Sequence, residues 1–482
     1  MKTSLLTPIL IFLFGTFALA QSIPPDSLYF GQTTPGSIPQ VFAPGIVSLP
    51  GRNEAVITFS PDGTTVFFYI QFYPQPETPY ILFSTYTNNH WTTPDSIPFT
   101  IGRTAAEPSF AYNGNRLYMY ATNVINHVSI ADLSYSEKQG ANWSNPISMG
   151  NPPNSEPYQF HPCIVGDTSV YFSSNAGNVC RCQFNNGVYQ NRVILPVPVN
   201  HIGTQTWGDP YVSQDESYMI LKSIRAEGYG KNDLYIAYKK TNGTWTNPKN
   251  LGNIINTAGD ETAGDITPDG LYMTYGRNND LYWVSTSFID SLKYTNFRPY
   301  VKNPIPDQEA IKGELFAFTI PDSTFIDDDG NNTLTYVAKL INGNPLPSWL
   351  TFDTITATFS GIPPIIQTLN IKVTATDTAG ASASTNLKIS VTPHTSTDQI
   401  NGQREGIRIF PNPTNGIINI SLDAFTGKTA VVELYNPAGK IILTKKFKKD
   451  TILDLTANPK GLYIIKLLID DEVILRKVYV VI

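Results

Sequence analysis

From about residue 44 to residue 300 the chain alternates apolar and polar positions in short runs. Breaks rich in Gly, Pro, Asn and Asp separate them. Successive side chains of a strand point to opposite faces, so this period of two predicts strands with one face on a core. The alternation returns at 315–320, 334–339 and 369–376. It returns again at 417–422, 430–435, 441–447, 461–469 and 473–481. The pattern predicts an all-β chain in three units.

The first unit repeats with a period near 50. The lines "NEAVITFSPDGTTVFFYIQ", "AEPSFAYNGNRLYMYATN", "SEPYQFHPCIVGDTSVYFSSN", "GDPYVSQDESYMILKSIR" and "DETAGDITPDGLYMTYGRN" align. Each holds an acidic residue, a strand, a turn such as Ser60-Pro61-Asp62-Gly63, and a second aromatic-rich strand. A third strand follows in several copies, and a fourth opens at Trp91, Trp143, Tyr189 or Trp245. Four short strands per repeat predict a five-bladed β-propeller, whose blades stack radially because one sheet cannot bury both faces alone. The fifth copy lacks its fourth strand. The stretch 42–48 has the matching pattern, so it is expected to pair in the last blade and close the ring, removing an exposed edge.

Composition narrows the function classes. A length of 482 residues fits two to four domains. Aromatics make 12% of the chain and charged residues only 15%. The net charge of −6 supplies no basic footprint for nucleic acid. Neither a dinucleotide fingerprint nor a P-loop is present. At the N-terminus Lys2 precedes an apolar run at 5–17, followed by Ala18-Leu19-Ala20 and Gln21. That pattern predicts a signal peptide over 1–20, removed on export. Gln21 stands where a lipoprotein would carry Cys. No other run is long enough for a transmembrane helix, so none is expected in the mature chain.

Candidate chemistry concentrates in the repeats. Glu54, Glu107, Glu156, Asp209 and Glu261 recur once per copy and are expected at the start of each innermost strand, on one rim of a central channel. Gln71, Asn123, Asn175, Arg225 and Arg277 end the second strands near that rim. Two readings stay open. The carboxylates are repeated struts paired within blades, or they form a polar mouth for a cation or a hydroxyl-rich ligand. Trp207, His161 and Tyr158 break the repeat there, and an aromatic beside carboxylates suits stacking on a sugar. Cys163, Cys180 and Cys182 all fall in the third copy. A disulfide from Cys163 to one of the others and buried free thiols are both open in an exported protein. The scattered His and the single C-x-C argue against zinc by sequence spacing. No G-x-S-x-G elbow follows the repeats, so a prolyl-peptidase arrangement is excluded. A glycosidase would need two carboxylates with separated pKa values, and no pair stands out.

Three resemblances extend this reading. The opening "IFPNPTNG", the hairpin "VELYNPAGKII" and "LDLTANPKGLYIIKL" make 407–482 resemble the type A C-terminal sorting domain of the type IX secretion system. This unit is basic on an otherwise acidic chain. Family members are read by the secretion machinery and usually removed at the cell surface, where cargo can be joined to a glycolipid. Many end on Lys, whereas this chain ends Val480-Val481-Ile482. The "FSPDG" turns, "YFGQTTPGSIPQVFAPGIVS" and "DLYWVSTSFIDSLK" make 21–300 resemble secreted WD40-like, TolB-type propellers. That family implies a fold and no single activity. Finally, "GELFAFTIPDSTFIDDDG", "LTYVAKLINGNPLPSWLTFD", "TFSGIPP" and "VTATDTAG" make 303–393 resemble a dystroglycan-type cadherin-like, Ig-fold domain. Trp349 is expected in its core. Such domains are often credited with calcium, and Glu314, Asp327, Asp329 and Asp377 hold the acidic motif positions. Ala338 stands where an EF-hand would place its Glu. Solvated turns capped by Asp and Asn are the other reading.

The sequence thus predicts an exported or surface-displayed protein with a linker at 394–406. The favoured function is non-catalytic binding of an extracellular glycan or protein by the propeller. The sandwich then serves as spacer or calcium-dependent adhesion module. A carbohydrate-active hydrolase using rim carboxylates and a purely structural envelope protein are the alternatives.

Overall fold

The computed structural model describes residues 23–71, 80–100, 104–125, 128–140, 142–166, 168–200, 208–393, 406–422, 427–436, 439–469 and 472–481. The expected signal peptide, Trp207 and nearly all of the expected linker lie outside them.

The repeat region folds into five antiparallel sheets, one per copy. Their lead strands are Glu54–Phe59, Ala105–Phe110, Phe160–Val165, Tyr211–Val212 and Glu261–Ile266. Each pairs with the next strand in sequence, and the order continues outward. The lead strand of each sheet packs on that of the next, and the fifth packs on the first. Between neighbouring sheets lies an apolar layer supplied by the strand faces that alternate inward. Phe67, Leu117 and Met119 fill the first such layer, and Val170, Phe172 and Tyr118 the second. Tyr171, Met219 and Tyr235 fill the third, and Ile236, Met273 and Tyr275 the fourth. The fifth layer joins the last sheet to the first through Trp283, Phe42, Ile57 and Phe68. The N-terminal segment supplies the outer strand of the fifth sheet. The paired residues are Gln40 with Trp283 and Val41 with Tyr282, just upstream of the stretch 42–48.

Recurrent turns hold the sheets' registers. Ser60, Ser213 and Thr267 each donate a hydroxyl hydrogen bond to the Asp two residues on, at 2.5, 2.7 and 2.6 Å. The same Asp oxygen then accepts a backbone N–H further along, as from Thr64 at 3.0 Å.

The cysteines are free and buried, not bridged. Cross-strand pairing shows why. Cys163 lies opposite Tyr171 and faces the fourth sheet, where its sulfur accepts the Val212 N–H at 3.2 Å. Cys180 and Cys182 lie opposite Phe172 and Val170 and face the second sheet. The thiols therefore sit on opposite faces of one sheet. Burial pushes Cys163 and Cys182 up to about 12 and Cys180 up to about 11.

Residues 308–392 form a two-sheet sandwich. One sheet holds Gln308–Ile311, Ser382–Thr392, Thr368–Thr376 and Thr335–Leu340; the other holds Phe316–Thr319, Thr358–Gly361 and Leu350–Asp353. Phe359 and Phe325 are its largest fully buried side chains. Trp349 is only partly buried and packs at the edge of that core, a correction to the sequence reading. It lies so close to Gly361 that a Cβ there would fall 1.8 Å from the Trp349 carbonyl oxygen. The C-terminal unit is a second, smaller sandwich around Ile418, Leu453, Tyr463, Ile465 and Val478. It includes strands Arg408–Phe410 and Asp450–Asp454, which the sequence pattern did not single out. Among the described residues no helix is long and apolar enough to cross a membrane.

Candidate functional site

Four of the five lead strands show a register shift near their starts, between Glu54 and Val56, Ala106 and Ser109, Phe160 and Cys163, and Thr262 and Asp265. These are β-bulges, which leave one residue unpaired and re-aim its side chain. The extra residues include Glu107, His161 and Ala263, and Asp209 precedes the short fourth lead strand at the same level. Their φ angles are 55°, 51°, 50° and 35°. A left-handed backbone at a non-glycine residue costs about 1–3 kcal/mol and persists only where the surroundings hold it. Pro follows Glu107, His161 and Asp209, fitting a position that offers no ladder donor.

This geometry brings three unlike side chains together. One ligand-type atom from each of Glu107, His161 and Asp209 lies within 4.8 Å of the others. Glu107 Oε2 accepts the His161 backbone N–H at 2.7 Å. Lys222 Nζ, from the second strand of the fourth sheet, meets Asp209 Oδ2 at 2.5 Å. Asp265 Oδ1 stands 3.9 Å from His161 Nε2. Tyr69 and Tyr120, with Ala106 and Ala263, wall the other side. The His161 side chain is 5% exposed, and its buried Nδ1 has no hydrogen-bond partner. Burial, then the Asp209 charge, pushes Glu107 up to about 7, against the His161 N–H and Lys222. Burial, then Asp209 and Glu107, raises Asp265 well above the carboxylate range. Burial lowers His161.

Asp265 also lines a cavity of about 530 Å³ that takes residues from all five sheets. Phe59, Phe110, Tyr112 and Tyr211 give it aromatic walls, and Gln214 and Thr267 add hydrogen-bonding groups. Tyr112 is 63% exposed. The cavity opens where the lead strands end, beside the recurrent turns. The sequence reading had placed the ligand mouth at the opposite ends, where the strands start.

The five acidic residues expected on one rim therefore divide. Glu54 is buried, paired with Arg52, and raised by burial. Glu156 lies in a turn before its strand and pairs with Arg192. Glu261 accepts Thr257 N–H at 3.0 Å and Thr257 Oγ1–H at 2.6 Å. Only Glu107 and Asp209 converge. Arg225 is a buried strut, donating to the Pro198 and Val199 carbonyls at 3.0 Å. Arg277 lies over the Tyr282 ring at 5.1 Å. Gln71 borders a separate surface cleft with Arg52 and Asn278. Asn175 is exposed in a turn, and the side chain of Asn123 is outside the described set. Alignment by acidic residues had equated Glu156 with Glu107. Glu156 and His161 both precede a proline, so that local signal does not separate them.

In the sandwich the acidic turn docks beside the fourth sheet and against the segment that follows the fifth. Asp328 accepts from Lys240 Nζ at 2.8 Å and from Asn247 N–H at 2.6 Å. Asp329 accepts Phe297 N–H at 2.5 Å, and Asp377 accepts Asn296 Nδ2–H at 2.9 Å and Ala381 N–H at 2.8 Å. Asp327 Oδ1 accepts Asp329 N–H at 2.9 Å, while its buried Oδ2 has no partner. Glu314 sits in an exposed turn, between Gln308–Ile311 and Phe316–Thr319.

Comparison with known proteins supports the two C-terminal units. A family model described as "Putative Ig domain" matches residues 298–392, and one described as "Secretion system C-terminal sorting domain" matches residues 408–481. The sorting domain makes this a secreted or cell-surface protein that engages the type IX secretion machinery. No curated relative matches the chain. Among solved structures it is similar to the catalytic domain of a GH62 α-L-arabinofuranosidase from Coprinopsis cinerea. Identity is 13%, over 52% of this chain and 97% of that one, with a TM-score of 0.35. A "putative alpha-galactosidase" from Bacteroides fragilis is 18% identical over 20% of this chain and 18% of that one, with a TM-score of 0.16. The tricorn protease is 12% identical over 89% of this chain and 41% of that one, with a TM-score of 0.32. The chain thus spans under a fifth of the α-galactosidase-type protein, and scores this low carry no functional argument.

Proposed function

We propose that the five sheets close as a five-bladed propeller and that this exported protein binds an extracellular, hydroxyl-rich ligand, a glycan end, in the aromatic cavity at the channel mouth. Ring closure is supported by the cyclic packing of the lead strands and the apolar layer between the fifth and first sheets. The observation that carries the ligand reading is the cavity itself, aromatic on its walls and polar at Asp265 and Gln214. A sugar ring offers an apolar C–H face to an aromatic and hydroxyls to such groups, and pockets that combine the two are the usual form of small-molecule sites. The test is a glycan array followed by calorimetry on the full chain. A saturable ligand weakened at least tenfold by Tyr112→Ala is expected. Absence of any ligand, or one indifferent to both Tyr112→Ala and Asp265→Asn, overturns the reading.

A second reading, hydrolysis of the bound glycan, is favoured by one observation. Glu107, raised to about 7, adjoins Asp209, which is ion-paired with Lys222. Two carboxyl groups with separated environments are what glycosidic cleavage requires. Release of reducing sugar lost in Glu107→Gln would support it. In the sandwich, the orphaned Asp327 Oδ2 beside Asp329 and Asp377 favours a calcium ion there. A rise in melting temperature with calcium, lost in Asp327→Asn, is its test.

A further inference from the structure

We infer that Glu107, His161 and Asp209 form a binding site for a divalent transition metal of the zinc or manganese class, at the level of the bulged lead strands. Three observations converge. The donors lie within 4.8 Å of one another, so small side-chain movements bring all three onto one ion. The imidazole is almost wholly buried, yet its Nδ1 has no hydrogen-bond partner among the described residues. Its Nε2 stands 3.9 Å from Asp265 Oδ1, beyond hydrogen-bond length. A buried polar group normally finds a partner, and each exception in a folded protein calls for an explanation such as an ion. Finally, all three donors have left-handed backbones, Glu107 and His161 at strand bulges and Asp209 just before its strand.

The donor set selects the ion class. One nitrogen and two carboxylate oxygens suit zinc or manganese, while calcium and magnesium take oxygen ligands throughout. Three protein ligands leave a coordination position open, as in zinc sites that hold water or a substrate group. Lys222 is the internal competitor. Its ammonium already neutralises one Asp209 oxygen, and Asp209 keeps its second oxygen for an ion. Asp265, facing His161 on the cavity side, is placed to orient the imidazole as metal-bound histidines commonly require.

This inference does not depend on a glycan, so its probe is the metal alone. The full chain, stripped with chelator, is dialysed against Zn²⁺, Mn²⁺ and Ca²⁺ and its metal content measured. One equivalent of Zn²⁺ or Mn²⁺ is expected, in preference to Ca²⁺. His161→Gln and Glu107→Gln should each weaken binding by more than about 100-fold, beyond what outer-shell changes cost. Lys222→Met should tighten it several-fold, because a competing charge is gone. Asp329→Asn, in the sandwich, should leave it unchanged. Cobalt substitution adds a readout on the unmodified chain, a visible spectrum of a nitrogen- and oxygen-ligated ion. Binding well below one equivalent overturns the inference even if the variants fail to fold. So does binding that survives His161→Gln and is lost in Asp329→Asn.

Discussion

Two acidic clusters lie in this protein, and they are built in opposite ways. In the sandwich, Asp328, Asp329 and Asp377 each accept hydrogen bonds from residues of the repeat region, so their charges fasten one module to the other. At the centre of the five sheets, Glu107, Asp209 and Asp265 crowd one another around an imidazole whose Nδ1 has no partner, and Lys222 pairs with Asp209. In the first arrangement Asp328 and Asp377 spend both oxygens on donors, and the buried Asp327 Oδ2 is the exception. The second leaves donors and charge unspent, which costs stability and marks a place for a ligand. Counting acidic residues would rank the sandwich turn first; accounting for partners reverses the order.

The largest expected effect breaks the docking side of this contrast. The Asp328 side chain is only 2% exposed, and Asp328→Ala leaves Lys240 and the Asn247 N–H without their acceptor. A loss of about 3 kcal/mol is expected, the usual cost of removing one partner of a buried pair. Urea denaturation should then resolve separate transitions for sandwich and repeat region. The central cluster should respond in the other direction. Without metal, Glu107→Gln keeps an acceptor for the His161 N–H but removes a crowded charge. Stability at pH 8 should be unchanged or higher by about 1–2 kcal/mol, since a unit of pKa shift is about 1.4 kcal/mol. A clear loss would mean that Glu107 is a strut like Glu54.

A smaller effect comes from Glu216, a carboxylate that is fully spent. Burial alone would raise it, but the Lys239 bond, the Arg181 charge and the Tyr171 hydroxyl together lower it below the usual range. A depressed carboxylate contributes stability that is present above its unfolded value of about 4.3 and is lost as pH falls through the folded value. The difference between wild type and Glu216→Gln, about 1–2 kcal/mol at pH 6, should therefore shrink toward pH 3 in urea titrations. The smallest effect is none. With thiols on opposite faces of a sheet, reductant should leave the melting temperature unchanged, and a fall on reduction would mean that a bridge forms after all.

Much of this was legible from the alternation of residues. Runs such as "TVFFYI" mark a strand, here buried on both faces, and Ser60-Pro61-Asp62-Gly63 marks the turn beside it, because both depend on residues adjacent in sequence. The sorting unit was readable for the same reason, through contiguous motifs. The candidate site was readable only in part. Glu107 and Asp209 were on the page, but so were Glu54, Glu156 and Glu261, which the fold pairs with Arg52, Arg192 and Thr257. His161 entered only as a break in the repeat.

What decided between these residues is register. A bulge shifts one strand against its neighbour by a single position, and that shift selects His161 over Glu156 as the partner of Glu107. The same cross-strand arithmetic sends Cys163 to one face and Cys180 and Cys182 to the other. Local periodicity settles which segments become strands and where the chain is exported, since each is encoded in consecutive residues. Which charges meet, and which are left without partners, follows from contacts between residues some fifty positions apart, and only the folded sheets bring those together.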